Sequence, residues 1–288
     1  MILITGATGK IGSHVLRQLT ERRAEVRVMA RDPATVRTTA EVVRGDFEDA
    51  SSLPRAVDGV EAVFLVTTPR KPVVDHDVAM VDAARAAGVR RIVKLSAISV
   101  GPTWHLAVED VITTSGMEWT ILKPSSFAAN LLQFADAIRA GDPLPDWTGP
   151  GALGVIDPRD VAAVAVEALT TKDHIGQSYT LTGPELLTFS QQIAIVRRVL
   201  GRPVTSVDVP LDAVRAMMIQ NGMDPAAVEA SVTGMRQTVA GDYAILTDAV
   251  AGVLGRPPTS FETWVRDHRD LFGQPGTHDP DSAPAATD

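Results

Sequence analysis

The sequence predicts an α/β fold: a doubly wound parallel sheet with helices on both faces, joined to a small, mostly helical cap. Three observations lead there. Short β-branched runs, apolar at nearly every position, alternate with Ala-, Leu- and Arg-rich stretches through the first half of the chain. A strand covered by helices on both faces has no solvent side, so its residues read as continuously apolar rather than alternating. The first such run, Ile2-Leu3-Ile4-Thr5, leads into a glycine-spaced turn, Gly6-Ala7-Thr8-Gly9-Lys10-Ile11-Gly12, that opens a helix. Beyond Thr188 helical stretches dominate.

Along the chain, residues 2–5 form the first strand and 10–22 a helix. EVRVMA (25–30) is the second strand, EVVR (41–44) a short third, and AVFLVT (62–67) a fourth. Residues 74–87 make a helix closed by Gly88, RIVKL (91–95) a fifth strand, 103–115 a helix, and WTIL (119–122) a sixth strand. Residues 127–140 are helical in composition and stop at Gly141-Asp142-Pro143, a strong breaker. Asp157 is an N-cap with Pro158 in the first helical position, and QSYTLT (177–182) is a further strand. Helices follow at 189–200, 211–221 and 225–239, with a last pair near 247–254 and 260–272. Residues 1–183 are therefore expected to form the sheet domain, with 127–150 contributing to a pocket. Residues 184–272 form the cap over the C-terminal edge of the sheet, where open α/β sheets bind ligands. Residues 273–288, rich in Gly, Pro and Asp and without periodicity, read as a tail.

Composition removes several function classes. The 288 residues suffice for one large α/β unit with an appendage. A net charge of −8 argues against binding nucleic acid through its phosphates. No apolar run approaches the ~20 residues of a membrane span, and MILITGATG lacks the basic start of a signal peptide. The absence of cysteine excludes disulfides, thiol catalysis and thiolate metal sites, and fits a reducing cytoplasm. The six histidines show no metal-ligand spacing. The expected partner is a small molecule.

The glycines at 6, 9 and 12 let the chain turn tightly and bring backbone N–H groups against a pyrophosphate at a helix N-terminus. After a first strand, this is a dinucleotide-binding signal. The end of the second strand separates the two nicotinamide cofactors: an acidic residue binds a ribose 2′-hydroxyl, whereas an Arg accommodates a 2′-phosphate. Here the sequence is Ala30-Arg31-Asp32-Pro33. The planar fork of Arg31 suits a phosphate, and Asp32 before Pro33 reads as a helix cap, so NADPH is favoured. Asp46-Phe47, after the third strand, are placed to meet an adenine, or form a plain turn.

TGATGKIG, VMARDPA, VRGDFED, and KLSA with its following His-x-x-x-Glu resemble the NmrA-like group of atypical short-chain reductases, as do WTILKPSSF, IDPRDVAAVA, YTLTGPE and LGRPP. The likeness runs from Met1 to about Phe272. It implies a Rossmann-like fold with NADP(H) held by Gly6, Thr8, Gly9, Lys10, Ile11, Gly12 and Arg31, joined by Asp46, Phe47, Thr67, Ser96, Pro124 and Phe127. The chain departs from the group after Ser96, where only eight residues precede His105. Members include reductases of quinones, dyes and polycyclic ketones, and also NADP-binding regulators without turnover. The implied function is an NADPH-dependent oxidoreductase passing hydride to a ketone or quinone of a bulky aromatic or polyketide-like molecule, of the kind met in antibiotic biosynthesis. The alternative is an NADP(H)-binding redox sensor.

A carbonyl reduction also needs the developing oxyanion to be stabilised or protonated. The Tyr-x-x-x-Lys of typical short-chain reductases is absent, since Tyr179 and Tyr243 are followed four residues on by Gly183 and Thr247. Ser96 can donate a hydrogen bond to the substrate oxygen, or bond nearby backbone as strand-end serines do. His105 can deliver a proton or orient the substrate, or pack on its helix, paired with Glu109 one turn on. Lys94, between Val93 and Leu95, is expected to reach the sheet edge along its own stem. Trp104, Phe127, Leu131 and Trp147, with Phe134, are candidate linings for a flat aromatic substrate.

Overall fold

The computed structural model describes residues 1–67, 74–98 and 103–273. The tail from residue 274 onward lies outside the described residues.

The elements come in the expected alternation: β1 (Ile2–Thr5), α1 (Gly12–Glu21), β2 (Val26–Ala30), β3 (Glu41–Arg44), α2 (Leu53–Val57), β4 (Ala62–Leu65), α3 (Asp75–Ala86), β5 (Arg91–Leu95), α4 (Trp104–Thr113) and β6 (Glu118–Pro124). After a 3₁₀ segment (Ala128–Phe134) come α5 (Ala135–Ala140), β7 (Leu144–Asp146), β8 (Ala152–Leu153), α6 (Pro158–Thr170) and β9 (Gln177–Leu181). The remainder holds β10 (Leu187–Thr188), α7 (Phe189–Leu200), β11 (Ser206–Asp208), α8 (Leu211–Gln220), α9 (Pro225–Ala240), α10 (Ala249–Leu254) and α11 (Phe261–Asp267).

Seven strands form one parallel sheet in the order β3-β2-β1-β4-β5-β6-β9. Successive strand residues serve opposite faces, which is why the strands read as unbroken apolar runs. Leu3, Val63 and Ile92 pack with α2, α3 and α4, while Ile4, Phe64 and Val93 pack with α1 and α6. A third cluster, including Leu131, Ile138, Val196 and Trp264, forms the heart of the cap.

Three expectations need correction. Residues 127–140 are not one α-helix. The Ala128 N–H donates to the carbonyl of Ile156 and Asn130 N–H to that of Phe127, so the first half winds as 3₁₀ beside the segment before α6. The cap also contains two short strand pairs, β8–β10 and β7–β11, too brief to show a period in sequence. Finally, the 249–254 helix, expected in the cap, returns to the sheet. Val250 is fully buried in the cluster that covers α6.

The motifs shared with the resembled family account for that return. Asp157 caps α6, accepting from the Arg159 N–H at 2.8 Å, with Pro158 in the first position. Buried Asp160 accepts from Arg256 Nη2 at 2.7 Å and from the Thr259 N–H at 2.6 Å, tying IDPRD to LGRPP. Arg159 bridges Asp157 and Asp267, and its hydrogen bond to Asp157 raises its already high pKa.

Candidate active site

The glycine loop joins β1 to α1 at the C-terminal edge of the sheet. Gly6 has φ +64°, a left-handed conformation that favours glycine. Its carbonyl accepts from the Gly9 N–H at 2.9 Å. A Cβ on Gly12 would overlap that same carbonyl, so Gly12 is fixed by close approach rather than by its dihedral. Thr8 and Lys10 are exposed, and Ile11 is buried in the core with its backbone in the loop. Lys10 Nζ donates to Asn130 Oδ1 at 2.8 Å, linking the loop to the 3₁₀ segment.

From this loop a cleft of about 700 Å³ runs over the ends of β2 and β3. Gly6, Thr8, Arg31, Asp46 and Phe47 line it together with His76, whose ring stacks on Phe47 at 5.9 Å. Asp32 caps the following turn, accepting from the Ala34 N–H at 3.0 Å, and exposed Arg31 stands on the cleft wall. Asp46 also accepts from the Glu48 N–H at 3.0 Å, forming a turn on the cleft wall. The donors suit a dinucleotide: bare backbone at a helix N-terminus for a pyrophosphate, and an Arg past β2 for a further phosphate.

At the ends of β4, β5 and β6 lies a buried polar cluster. The Lys94 side chain is 1% exposed, and its Nζ meets Asp77 Oδ1 and Thr67 Oγ1, both at 2.8 Å. It does not reach the sheet edge as expected, because α3 brings a carboxylate beneath the strand end and gives the ammonium a partner inside. Burial lowers the Lys94 pKa and the Asp77 charge opposes that shift. Thr67 also donates to Asp77 at 2.8 Å, so its hydroxyl serves this cluster.

Ser96 Oγ donates to Glu109 Oε1 at 2.7 Å, and Glu109 Oε2 meets Lys123 Nζ at 3.2 Å. Glu109 therefore pairs with Ser96 and Lys123, with no hydrogen bond to His105 among the described residues. His105 Nδ1 is buried and without a partner among those residues. Burial, followed by the charge of Lys94, lowers the His105 pKa below its ordinary value. Trp104 packs on the face of the sheet covered by α3, with its ring 3.9 Å from that of His105. Neither residue lines the cleft or the cavity described next, nor do Thr67, Ser96 or Pro124.

That second cavity, of about 400 Å³, opens past the ends of β5 and β6 and beneath α9. Phe127, Leu131 and Trp147 line it, with Phe134, whose ring lies 6.1 Å from that of Trp147, and Phe189. Ser125, Asn130 and residues of α9, none of them singled out from the sequence, join them. Asn130 is distinctive because it both lines the cavity and accepts from Lys10 of the glycine loop. Only its position after Phe127 hinted at a role. Among the described lining residues there is no Lys or Arg. The carboxylate of Asp146 is turned into its own loop, accepting from the Thr148 and Gly149 N–H groups.

The chain matches the NAD(P)H-binding family over residues 6–172. It is 39% identical to a (4-alkanoyl-5-oxo-2,5-dihydrofuran-3-yl)methyl phosphate reductase of Streptomyces griseus, across 94% of this chain and 99% of that protein. It is 34% identical to an NAD(P)H azoreductase of Xenophilus azovorans, across 95% and 99% respectively. Its fold superposes on an NADPH-dependent quinone oxidoreductase of Escherichia coli solved with NADPH, at TM-score 0.82 and 23% identity, covering 94% of this chain and all of that one. The glycine loop, the cleft beside it and these likenesses agree: the chain belongs to the NAD(P)H-binding family of oxidoreductases, as its NmrA-like motifs imply.

Proposed function

We propose that the protein is an NADPH-dependent reductase of an uncharged, conjugated acceptor, a quinone or an α,β-unsaturated carbonyl, held in the cavity beneath α9. When bound, the reduced nicotinamide supplies a hydride. Arg31 on the cleft wall supports NADPH over NADH.

The observation that carries the acceptor class is the commitment of the polar groups beside the strand ends. The Ser96 proton is given to Glu109, Glu109 is paired with Lys123, and Lys94 is held by Asp77 and Thr67. Burial, followed by the charge of Lys94, lowers the His105 pKa and so disfavours its protonated form. An isolated ketone would leave a localised alkoxide that calls for a positioned acid. Hydride addition to a quinone, or to the β-carbon of an α,β-unsaturated carbonyl, leaves a phenolate or enolate whose charge is delocalised and which can take its proton from water. Ser96 then ties the end of β5 to Glu109 of α4 rather than meeting the acceptor, and no proton is required from His105. The absence of Lys and Arg from the described lining supports an uncharged acceptor over a phosphate ester such as that of the Streptomyces relative. The aromatic wall of Phe134, Trp147 and Phe189 supports a flat one.

The test follows NADPH absorbance with purified protein against quinones, conjugated carbonyls and isolated polycyclic ketones. Turnover of the conjugated acceptors above the isolated ketones is expected. Preference for isolated ketones would overturn the reading, and tight NADPH binding with no turnover of any acceptor would favour a sensor.

A further inference from the structure

Ser231, Gly234, Met235 and Thr238 of α9 line the cavity, the i, i+3, i+4, i+7 set that shares one helix face. Gly234 is the odd member. Glycine is the poorest helix former after proline, yet here it stands in the interior of a sixteen-residue helix. No backbone demand explains it, because its φ is not positive. Close packing does not explain it either, because a Cβ built on it would meet nothing within 4 Å.

Gly151, on the loop that meets α9 at Thr238, behaves in the opposite manner. A Cβ on Gly151 would overlap the Thr238 carbonyl, so Gly151 lets α9 dock backbone to backbone on the loop below. Thr238, itself buried, donates back to the Gly234 carbonyl at 3.0 Å. The helix is thus pinned at Thr238 and cannot slide down to close the space that Gly234 leaves. That space belongs to the cavity.

We propose that Gly234 sets the size of acceptor the cavity takes, leaving room for an additional fused ring or a branched apolar substituent beside Met235. This rests on reading the cavity as the acceptor site. The residue determines specificity and takes no part in the chemistry or in cofactor binding, since it does not line the cofactor cleft.

The test uses Gly234→Ala and Gly234→Leu with a small acceptor, para-benzoquinone, and a bulky one, phenanthrenequinone, after subtraction of the uncatalysed rate. Affinity for phenanthrenequinone is also measured calorimetrically on NADP⁺-loaded protein, which needs no turnover. A few methylenes in an apolar pocket change discrimination by about tenfold or more, so Gly234→Leu should lose at least ~10-fold in kcat/KM and in affinity for phenanthrenequinone, and about twofold or less in kcat/KM for para-benzoquinone. Gly234→Ala should lose less and should melt about 1–3 °C above the wild type, because alanine improves the helix. Affinity for NADPH should not change.

Equal losses for the two quinones, no loss for either, or no binding of phenanthrenequinone by the wild type would overturn the proposal. If phenanthrenequinone binds in a Leu-sensitive manner but neither quinone is reduced, the size rule stands and the reductase reading falls.

Discussion

Ser96 gives its hydroxyl proton to Glu109 across 2.7 Å, in a spot where both side chains are buried. The pairing consumes the donor that a carbonyl oxygen would otherwise use. Ser96→Ala should therefore act mainly on stability, leaving a buried carboxylate oxygen short of a partner at a cost of ~1–3 kcal/mol. Its effect on kcat should fall well short of the ~10² that marks loss of a catalytic acid. Urea melts and steady-state rates on the same preparations check both parts. A large kcat loss with unchanged stability would return Ser96 to the role of oxyanion donor.

His105 makes the pH dependence specific. Its folded pKa lies below the ordinary 6.5, chiefly through burial. Below about pH 6.5 the unfolded chain binds a proton that the folded chain refuses, so stability falls as pH drops from there toward the folded value. It is fully present above. His105→Phe should shrink the wild-type difference in melting temperature between about pH 7 and pH 5. It should also reduce kcat by about tenfold or less, with a flat profile from about pH 7 to 9, as expected of a group that delivers no proton to the acceptor. A rate that fell with the deprotonation of a single group across neutrality would contradict this.

Arg31 should decide between the cofactors. A charge-assisted hydrogen bond to phosphate contributes ~1.5–3 kcal/mol, so Arg31→Ala should weaken NADPH about 10- to 100-fold and NADH about twofold or less. Fluorescence titration of both cofactors measures it. Equal binding of the two by the wild type would remove the preference altogether.

The Lys94–Asp77 pair should behave as buried ion pairs do. Lys94→Met strands Asp77 with Thr67 alone and should cost ~3–5 kcal/mol. Replacing both residues by apolar side chains should recover most of that loss, because the pair itself adds little net stability once its desolvation is counted. Denaturant unfolding of the two single variants and the double variant tests the coupling.

The sheet was readable in the sequence because local and global signals coincide there. Val93 and Ile92 must both be apolar to serve opposite faces, and Gly6 and Gly12 must both be glycine for separate backbone reasons. Lys94 was misread because its partner, Asp77, arrives from a helix seventeen residues earlier, and no local pattern announces that pairing. One of the two readings of His105 paired it with Glu109 one turn along α4, but Ser96, just past β5, and Lys123 of β6 reach that carboxylate instead. The cavity was half legible. The residues at 127–147 follow the sixth strand and so fall near its end, whereas α9 reaches the same space only through the fold of the cap.

The α10 segment bears on how this architecture can diversify. The chain leaves the sheet after β9, builds α7 to α9, seats Val250 against α6, and departs again to place Trp264 in the cap core. The cap is thus stitched to the sheet by a second seam rather than hung from one linker. A chimera that exchanged residues 184–272 as a cassette would import a foreign partner for α6 and lose the Asp160 contacts with Arg256 and Thr259. Single changes along α9 alter the lining of the cavity while leaving that seam intact.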